Sequence, residues 1–206
     1  MAHKVASVQT LYEDSVALYN DVVEGGNEYS AATIIKDLGE GIENLKENWG
    51  GRDAGAQINN IISVYNAMVG VRNALGILSS ESSKVASNYR EIQNSNGAGL
   101  EQFAALNSED KTVMGDYSDD RDTIDIKAEV SAGQAKINAA KNEIDLFISK
   151  AREACGRIMD NWTEGDANRE AAKEAIEKFL ANADTYKEVL SQASGSVDTA
   201  IKNYNM

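Results

Sequence analysis

The two tryptophans of this chain stand 113 residues apart in matching surroundings. Asn, Trp, Asp and Ala occupy the same relative positions in the segments Asn48–Ala54 and Asn161–Ala167. On both sides of each segment, apolar residues recur in steps of three and four, which is the spacing of an amphipathic helix. The upstream residues of this pattern are Ile35, Leu38, Ile42 and Leu45 in the first half and Ile148, Ala151, Cys155 and Ile158 in the second. Each half is therefore predicted to form a helix, a tryptophan-containing turn and a second helix.

Composition favours long helices over sheets. No proline occurs among the 206 residues, whereas an average usage of about 5% predicts roughly ten. Aromatic residues, which are common in strands, make up only 6% of the chain. A single helical hairpin leaves an apolar stripe uncovered, and the repeat supplies a second hairpin to cover it. We therefore expect an all-α fold in which two helical hairpins pack antiparallel as an elongated four-helix bundle.

A segment of different composition separates the two halves. Residues 97 to 125 carry eight acidic residues against two basic ones. We expect a first hairpin over residues 1–96, an acidic linker over residues 97–122 and a second hairpin over residues 123–206. Repulsion between the acidic side chains should keep the linker solvated and extended.

Two further interpretations of the linker were weighed. Its acidic run Asp116–Asp122 lacks the Asp-x-Asp-x-Asp-Gly order of a calcium loop, and the terminal Glu of such a loop is also missing. A calcium site is therefore not expected. Phe103 and Leu106 could dock a short helical piece of the linker onto the bundle.

Glycines inside the predicted helices mark possible breaks or close contacts. Gly25-Gly26 is the only glycine pair inside a predicted helix, and it predicts a break of the first helix into segments near residues 5–23 and 28–48. Single glycines inside helices cost about 1 kcal/mol each relative to alanine. Either close helix packing or a groove for a partner helix could offset that cost, and the sequence does not choose between them. These glycines are Gly70, Gly76, Gly133, Gly156 and Gly195.

The tryptophan turns supply the candidate site residues. A helix that reverses direction needs a residue with positive φ to end it and a side-chain acceptor to cap the next helix. Glycine and aspartate can fill these roles in each turn, and the aspartates would also place negative charge at the positive end of the following helix. Each tryptophan can lie over the junction of its two helices and close the end of the apolar seam. The residues expected to form the two turns are Trp49, Gly51, Asp53, Trp162, Gly165 and Asp166.

Trp49-Gly50-Gly51, at the turn of a predicted helical hairpin, resembles the Trp-x-Gly motif of the WXG100 (ESAT-6-like) proteins. Outside the linker, the whole chain resembles two such units in tandem, with Gly165 one position later than the motif has it. The resemblance implies a secreted helical protein that acts by protein-protein interaction and is exported without a signal peptide by a type VII (ESX) secretion system. It also implies that both halves of an antiparallel bundle lie in one polypeptide. The family's export tag, a Tyr followed four residues later by Asp or Glu, has no match in this chain.

Charge and the N-terminal sequence bear on partners and localisation. The net charge of −13 disfavours nucleic acid and acidic membranes as partners. The residues after Met1–Lys4 lack the continuous apolar core of a secretory signal peptide. The resemblance implies a cytoplasmic stage before release from the cell, with the type VII machinery or a helical effector as partner. Because the repeat can cover its own apolar faces, we expect a monomer that contains an intramolecular pseudo-dimer.

The residue inventory disfavours catalysis. His3 is the sole histidine and lies near the terminus, so imidazole chemistry has no internal candidate. The sequence also lacks the Glu-x-x-His pairs of di-iron bundles and the glycine-rich loops that bind phosphates. Cys155 is expected to be a small buried apolar residue, although the neighbouring Arg152 and Arg157 leave a reactive thiolate open. No catalytic, cofactor-binding or metal-ligating residue is predicted.

Two other functions stay open. The chain could be a cytosolic adaptor or chaperone that binds a type VII effector or toxin. It could also be a membrane-active helical protein, against which the net charge argues.

Overall fold

The structure, a computed structural model, describes residues 4–5, 7–119, 125–163 and 167–203. These residues form helices joined by short connections, with four two-residue strands. The helices are α1 (Val8–Ala17), which continues into a π-helical segment (Leu18–Val23), α2 (Ala31–Asn48), α3 (Arg52–Ser95), α4 (Val130–Asn161), α5 (Ala167–Ala181) and α6 (Ala183–Asn203). The strands are β1 (Lys4–Val5), β2 (Trp49–Gly50), β3 (Asp125–Ile126) and β4 (Trp162–Thr163). The all-α class predicted from the sequence is confirmed.

The first arm of the first half is broken at the predicted glycine pair. The π-helical segment ends just before Gly25 and Gly26, and α2 begins after Ser30. A Cβ at Gly25 would collide with the backbone carbonyl of Asn20. Ser30 caps α2, since its hydroxyl oxygen accepts the backbone N–H of Thr33 at 3.2 Å. The chain therefore bends here because glycine alone fits the first position and serine restarts the helix.

The last arm of the second half is broken at Asn182, which the sequence did not predict. The Asn182 side-chain amide donates to the carbonyl of Lys178 at 2.8 Å, and its backbone N–H donates to the carbonyl of Phe179 at 3.1 Å. Asparagine side chains that bond to nearby backbone carbonyls compete with the hydrogen bonds of the helix. The apolar series steps from Phe179 to Ala183 across the break, so periodicity alone could not reveal it.

The four short strands join the two halves of the chain reciprocally. β2, at the first tryptophan turn, pairs antiparallel with β3, which precedes the first helix of the second half. β4, at the second tryptophan turn, pairs antiparallel with β1, which precedes the first helix of the first half. Each tryptophan turn therefore pairs with the segment that leads into the other half.

One continuous apolar core contains side chains from both halves. Within it, α2 packs along α4, α1 packs on α3, and α3 also contacts α5 and α6. The α2 and α4 backbones approach closely at Gly41 and Gly133, where a Cβ on Gly133 would lie 3.0 Å from the carbonyl oxygen of Gly41. The sequence left two explanations open for Gly133, close helix packing and a groove for a partner helix. The structure supports close helix packing. Cβ atoms at Gly70, Gly156 and Gly195 would meet nothing within 4 Å.

Ion pairs also cross between the halves. Lys136 on α4 pairs with Asp37 and Glu40 on α2, each at 2.8 Å. The hydrogen bonds that the Lys136 ammonium donates to these two carboxylates raise the pKa of Lys136 above its ordinary value. On α1, Asp14 pairs with Arg157 of α4 at 3.2 Å. Because the Lys136 and Arg157 side chains are each 43% exposed, solvent screens these pairs and they should contribute little to stability.

The described part of the linker, residues 97–119, forms neither a helix nor a strand. It does not stand free in solvent as expected, because it lies along α3 and bonds to that helix over most of its length. Phe103 packs against the core and stacks on Tyr12, whereas Leu106 is held through its backbone carbonyl by Ser80, and the helical piece expected here is not formed. The division of the chain at residues 96 and 122 stays a prediction.

α3 is the one described helix that is long and apolar enough to cross a membrane. Its most apolar 18-residue window has a mean hydropathy of 1.4, and 56% of that window is buried inside the protein. The core helix of a globular protein gives the same values, so they do not identify a membrane span.

Candidate functional site

The first tryptophan turn ends α2 and starts α3. Trp49 is buried, and its backbone N–H bonds to the carbonyl of Leu45. Gly51 has a φ of 113°, so the positive φ predicted at this position is confirmed. Gly51 is itself the N-cap of α3.

The aspartate role in the first turn differs from the prediction. Asp53 lies in the first turn of α3 and makes no capping bond, although its charge suits the positive end of the helix. No described side chain caps α3, and the backbone N–H of Gly51 donates instead to the carboxylate of Asp119 in the linker at 3.0 Å. Asp119 is 68 residues away in sequence, so local spacing gave no signal for it.

The second tryptophan turn has the same place in its half. Trp162 ends α4, is fully buried, and its backbone N–H bonds to the carbonyl of Ile158. Gly165 and Asp166, which were predicted to shape this turn, lie outside the described residues.

The strand pairing places a segment from the other half on the first tryptophan turn. Trp49 lies opposite Ile126 in the β2–β3 pair. The next residue, Lys127, donates its backbone N–H to the carbonyl of Asn48 at 2.9 Å and its Nζ to the carbonyl of Glu47 at 3.1 Å. Because a helix end leaves carbonyls without partners, the other half satisfies the end of α2.

A cleft of about 630 Å³ opens beside the first tryptophan turn, between the start of α3 and the end of α6. Trp49 and Gly50 form one end of it, and small and polar side chains of α6 form the opposite wall. Within it, the side-chain oxygen of Gln57 is buried without a hydrogen-bond partner. This cleft is the largest concave surface described at either turn.

A second surface, the linker groove, lies between α3 on one side and α1, its π-helical continuation and α2 on the other, and it contains residues 101–119 of the linker. One wall is formed by Asn59, Asn66 and Asn73, which recur every seven residues along α3 and which we name the asparagine ladder. Each of these side chains donates to the backbone carbonyl of one linker residue and accepts the N–H of the same residue. The partners are Tyr117 for Asn59 (2.7 and 2.8 Å), Met114 for Asn66 (2.9 and 2.8 Å) and Lys111 for Asn73 (both 2.9 Å).

The opposite wall repeats the same spacing. Tyr12 of α1 and Tyr19 of the π-helical segment, also seven residues apart, donate their hydroxyls to the backbone carbonyls of Ala104 at 3.1 Å and Asn107 at 2.9 Å. On α3, Ser80 continues the ladder by donating to the carbonyl of Leu106 at 3.0 Å. Nearly all of these bonds reach the main chain of the linker and not its side chains.

The spacing follows from the geometry of the two chains. Seven residues of an α-helix rise about 10.5 Å, and three residues of an extended chain span about 10 Å. The linker partners of the ladder, and those of the tyrosines, are accordingly three residues apart. An extended chain therefore stays in register with the helix from Lys111 to Tyr117, whereas the next helical step, from Asn73 to Ser80, is matched by five linker residues.

Two arginines of α3 fix the linker at points between these bonds. Arg90 donates to the carbonyl of Glu101 at 3.2 Å, and its guanidinium carbon lies 4.1 Å from the ring centroid of Phe103. That ring stacks on Tyr12, with 4.0 Å between the centroids. A buried cation over an aromatic face stabilises both groups.

The second arginine, Arg72, is 2% exposed and joins three segments. It pairs with Glu24 at the break of the first arm and donates to the carbonyl of Glu109 in the linker. Burial lowers the pKa of Arg72 from its ordinary value, and the nearby Tyr19 and Asp110 oppose that shift. Arginine stays charged even so, because its pKa is far above neutral.

Cys155 is buried, as predicted. Burial raises the pKa of its thiol to about 12, so the thiolate form is not favoured at neutral pH. Arg152, which could have stabilised a thiolate, bonds instead to Glu177 at 2.8 Å. The small cleft of about 200 Å³ next to Cys155 therefore lacks an activated nucleophile.

The asparagine ladder is the functional feature that sequence reasoning missed. Its residues were visible as polar interruptions of an apolar helix, but they were not connected to one another. Their spacing of seven residues was the available signal, since such a stripe lies on one face of a helix.

The described residues offer two interaction surfaces, the paired tryptophan turns and the linker groove. Within this described part of the chain, no group of three or more His, Cys, Asp or Glu residues is placed to hold a metal ion. A search of protein-family models, curated proteins and solved structures found no match to this chain.

Proposed function

We propose that this chain is a non-enzymatic helical protein of a type VII (WXG100) secretion system that acts by protein-protein interaction. The observation that carries the proposal is the reciprocal strand pairing of the two tryptophan turns. A turn of this kind needs a second hairpin to complete it, and here the other half of the same chain supplies the missing segment. This is the relation expected of two WXG100-like units fused in one polypeptide.

We further propose that the two halves are helical hairpins packed antiparallel as an elongated four-helix bundle. The close approach of Gly41 and Gly133 and the ion pairs of Lys136 support this arrangement. The reciprocal strand pairs support it as well, because a two-fold interface uses the same contact twice. The protein should then be a monomer, and light scattering should give a mass near 22.2 kDa and not twice that value.

A secretion assay in the native host tests the proposed system. The protein should leave the cytoplasm without a signal peptide and accumulate in the medium. Deletion of the membrane ATPase of the type VII system should keep it inside the cell, while a protein secreted by the general pathway is still exported. A cytosolic marker controls for lysis. Continued release without the ATPase would contradict the proposal.

A cytosolic adaptor or chaperone for a type VII effector or toxin is the second candidate. It is favoured by the linker groove, which binds an extended chain mainly through its backbone. Affinity purification from the native host separates the two candidates. An adaptor should co-purify with one stable partner and be absent from the medium in the presence of a working ATPase, whereas a secreted substrate should reach the medium.

A further inference from the structure

We propose that the linker groove is a docking site for an extended acidic segment of a partner protein, and that the linker is its resident occupant in the free protein. The inference does not depend on secretion, because it concerns only the linker groove.

The groove recognises the main chain. Each rung of the asparagine ladder bonds to both the N–H and the carbonyl of one linker residue, and every polypeptide except at proline offers this pair. The side chains at these positions make no hydrogen bond to the ladder, so the ladder itself does not read their identity, although Met114 and Tyr117 also pack against the core. A segment of different sequence can therefore make the same bonds, provided that it is extended and has no proline at the rungs.

The charges of the groove select an acidic occupant. Arg72 and Arg90, both nearly buried on α3, donate to main-chain carbonyls of the linker, and the negative charge of Asp110 in the linker acts on Arg72. Lys46 of α2 lies 5.7 Å from the ring centroid of Tyr117. The resident segment, residues 100–119, has five acidic residues and one basic residue. A partner segment should resemble it in charge.

The apolar contacts select a few positions. Phe103 stacks on Tyr12, and Met114 lies 3.6 Å from the position that a Cβ would take on Gly39 of α2. Most other linker side chains are exposed, including Val113 at 65%. An aromatic residue and a second apolar residue, set in this register, are therefore the side-chain features that the partner needs.

The shallow seating of the linker makes exchange feasible. Few of its side chains are buried, so little apolar surface is lost when it leaves. Its advantage is that it is part of the same chain, which gives it an effective concentration in the millimolar range. A competing segment should bind measurably once the interaction of the linker with the groove is weakened.

The test uses a fluorescent peptide with the sequence of residues 100–119 and the full-length protein carrying Phe103→Ala and Met114→Ala. These changes weaken the resident and leave the groove intact. Fluorescence anisotropy should show saturable binding to this variant, and about tenfold or more weaker binding to the unmodified protein, because its own linker competes.

Backbone recognition is tested by changing the peptide. Methylation of the Met114 amide nitrogen removes the N–H that Asn66 accepts and should weaken binding about tenfold. Methylation at the neighbouring Gly115 is the matched control, because the structure gives that amide no partner, and it should leave affinity unchanged. These changes do not alter the folding of the protein.

The groove is tested by changing the protein. In the weakened background, Asn66→Ala should lower affinity about tenfold, since two hydrogen bonds are lost. Asn60→Ala, an exposed position on the same helix, should not. Failure of the peptide to bind, equal loss in the two asparagine variants, or dimerisation of the weakened protein by exchange of linkers would overturn the proposal. The secretion assay does not depend on any of these results.

Discussion

At the scale of single residues, the tryptophans show most directly how the turns are stabilised. Trp162 is 0% exposed at the end of α4, and Trp49 is 4% exposed at the end of α2. Each fills the space where one helix stops and a segment from the other half crosses it. The loss of either side chain therefore opens a cavity at a junction between the halves, where little else can close it.

Trp162→Ala should lower the free energy of unfolding by about 3–5 kcal/mol, because the transfer energy of the ring is lost and a cavity remains. Urea unfolding followed by circular dichroism measures this change. Trp162→Phe is the control, and its loss should be clearly smaller since much of the ring volume is kept. Equal and small losses in both variants would show that the ring does not seal the core.

Cys155 gives a pH-dependent prediction. Burial raises its thiol pKa from the ordinary value of 9.0 to about 12. Between these pH values the unfolded chain releases the thiol proton while the folded chain keeps it, so stability falls as the pH rises. At most, the loss is about 1.4 kcal/mol per pH unit.

The comparison with Cys155→Ala isolates this effect. The variant has no thiol to ionise, so its stability should fall less steeply above pH 9.0 than that of the unmodified protein. Urea midpoints of both proteins on either side of that pH give the difference. Parallel pH profiles would mean that the thiol is accessible to water in the folded state.

The residues that the sequence predicted correctly are those whose role is local. Gly51 needs a positive φ because of the turn that contains it, and Cys155 follows the apolar series of its own helix. Asp119 and the asparagine ladder act on partners far away in sequence. No local pattern shows where such a partner will lie, so the sequence pointed to Asp53 as the aspartate of this turn, whereas the carboxylate that bonds to Gly51 is that of Asp119.

At the scale of helices, the contact between α2 and α4 depends on two glycines. A Cβ at Gly133 would lie 2.6 Å from the side-chain oxygen of Asn44 and 3.0 Å from the carbonyl oxygen of Gly41. The first atom can move, but the second belongs to the backbone of the facing helix. Any side chain here must push the helices apart.

Gly133→Ala should therefore destabilise the protein by about 1–3 kcal/mol through overpacking, despite the better helix propensity of alanine. Gly156→Ala, in the same helix but with nothing within 4 Å of its Cβ, is the matched control. It should be neutral or stabilising by up to about 1 kcal/mol. Thermal unfolding of the two variants checks the prediction, and destabilisation of both to the same extent would contradict it.

For the linker, the prediction made from composition gave the wrong reason for its conformation. Its acidic residues suggested a solvated chain kept extended by repulsion, and the described part is indeed extended. The cause is different, because the regular spacing of hydrogen-bonding side chains on α1 and α3 fixes its path. The conformation of the linker is set by the helices against which it lies. The composition of the linker alone contains no information about those helices, so it could not predict this path.

At the scale of the whole molecule, the two halves depend on each other. The apolar core contains side chains from both, and each tryptophan turn is completed by a strand from the other half. The repeat in the sequence predicted that the halves would cover each other. It did not predict the strand exchange, because two-residue strands leave no periodic signal.

Mutual dependence of this kind predicts that the covalent link between the halves is dispensable once the protein has folded. A protease site in place of residues 121–124 allows the chain to be cut after purification. The two fragments should remain associated, since the contacts of α2 with α4 and of α3 with α5 and α6 do not involve the cut. Size-exclusion chromatography with light scattering should give about the mass of the uncut protein, 22.2 kDa.

Cutting should nevertheless change the unfolding behaviour. The uncut chain unfolds as one molecule, whereas the cut protein must also dissociate, so its melting temperature should rise with protein concentration. The uncut protein, treated with protease in the absence of the site, is the control and should show no such dependence. Separation of the fragments under native conditions would mean that each half is complete by itself, and that the reciprocal strands contribute little to the association.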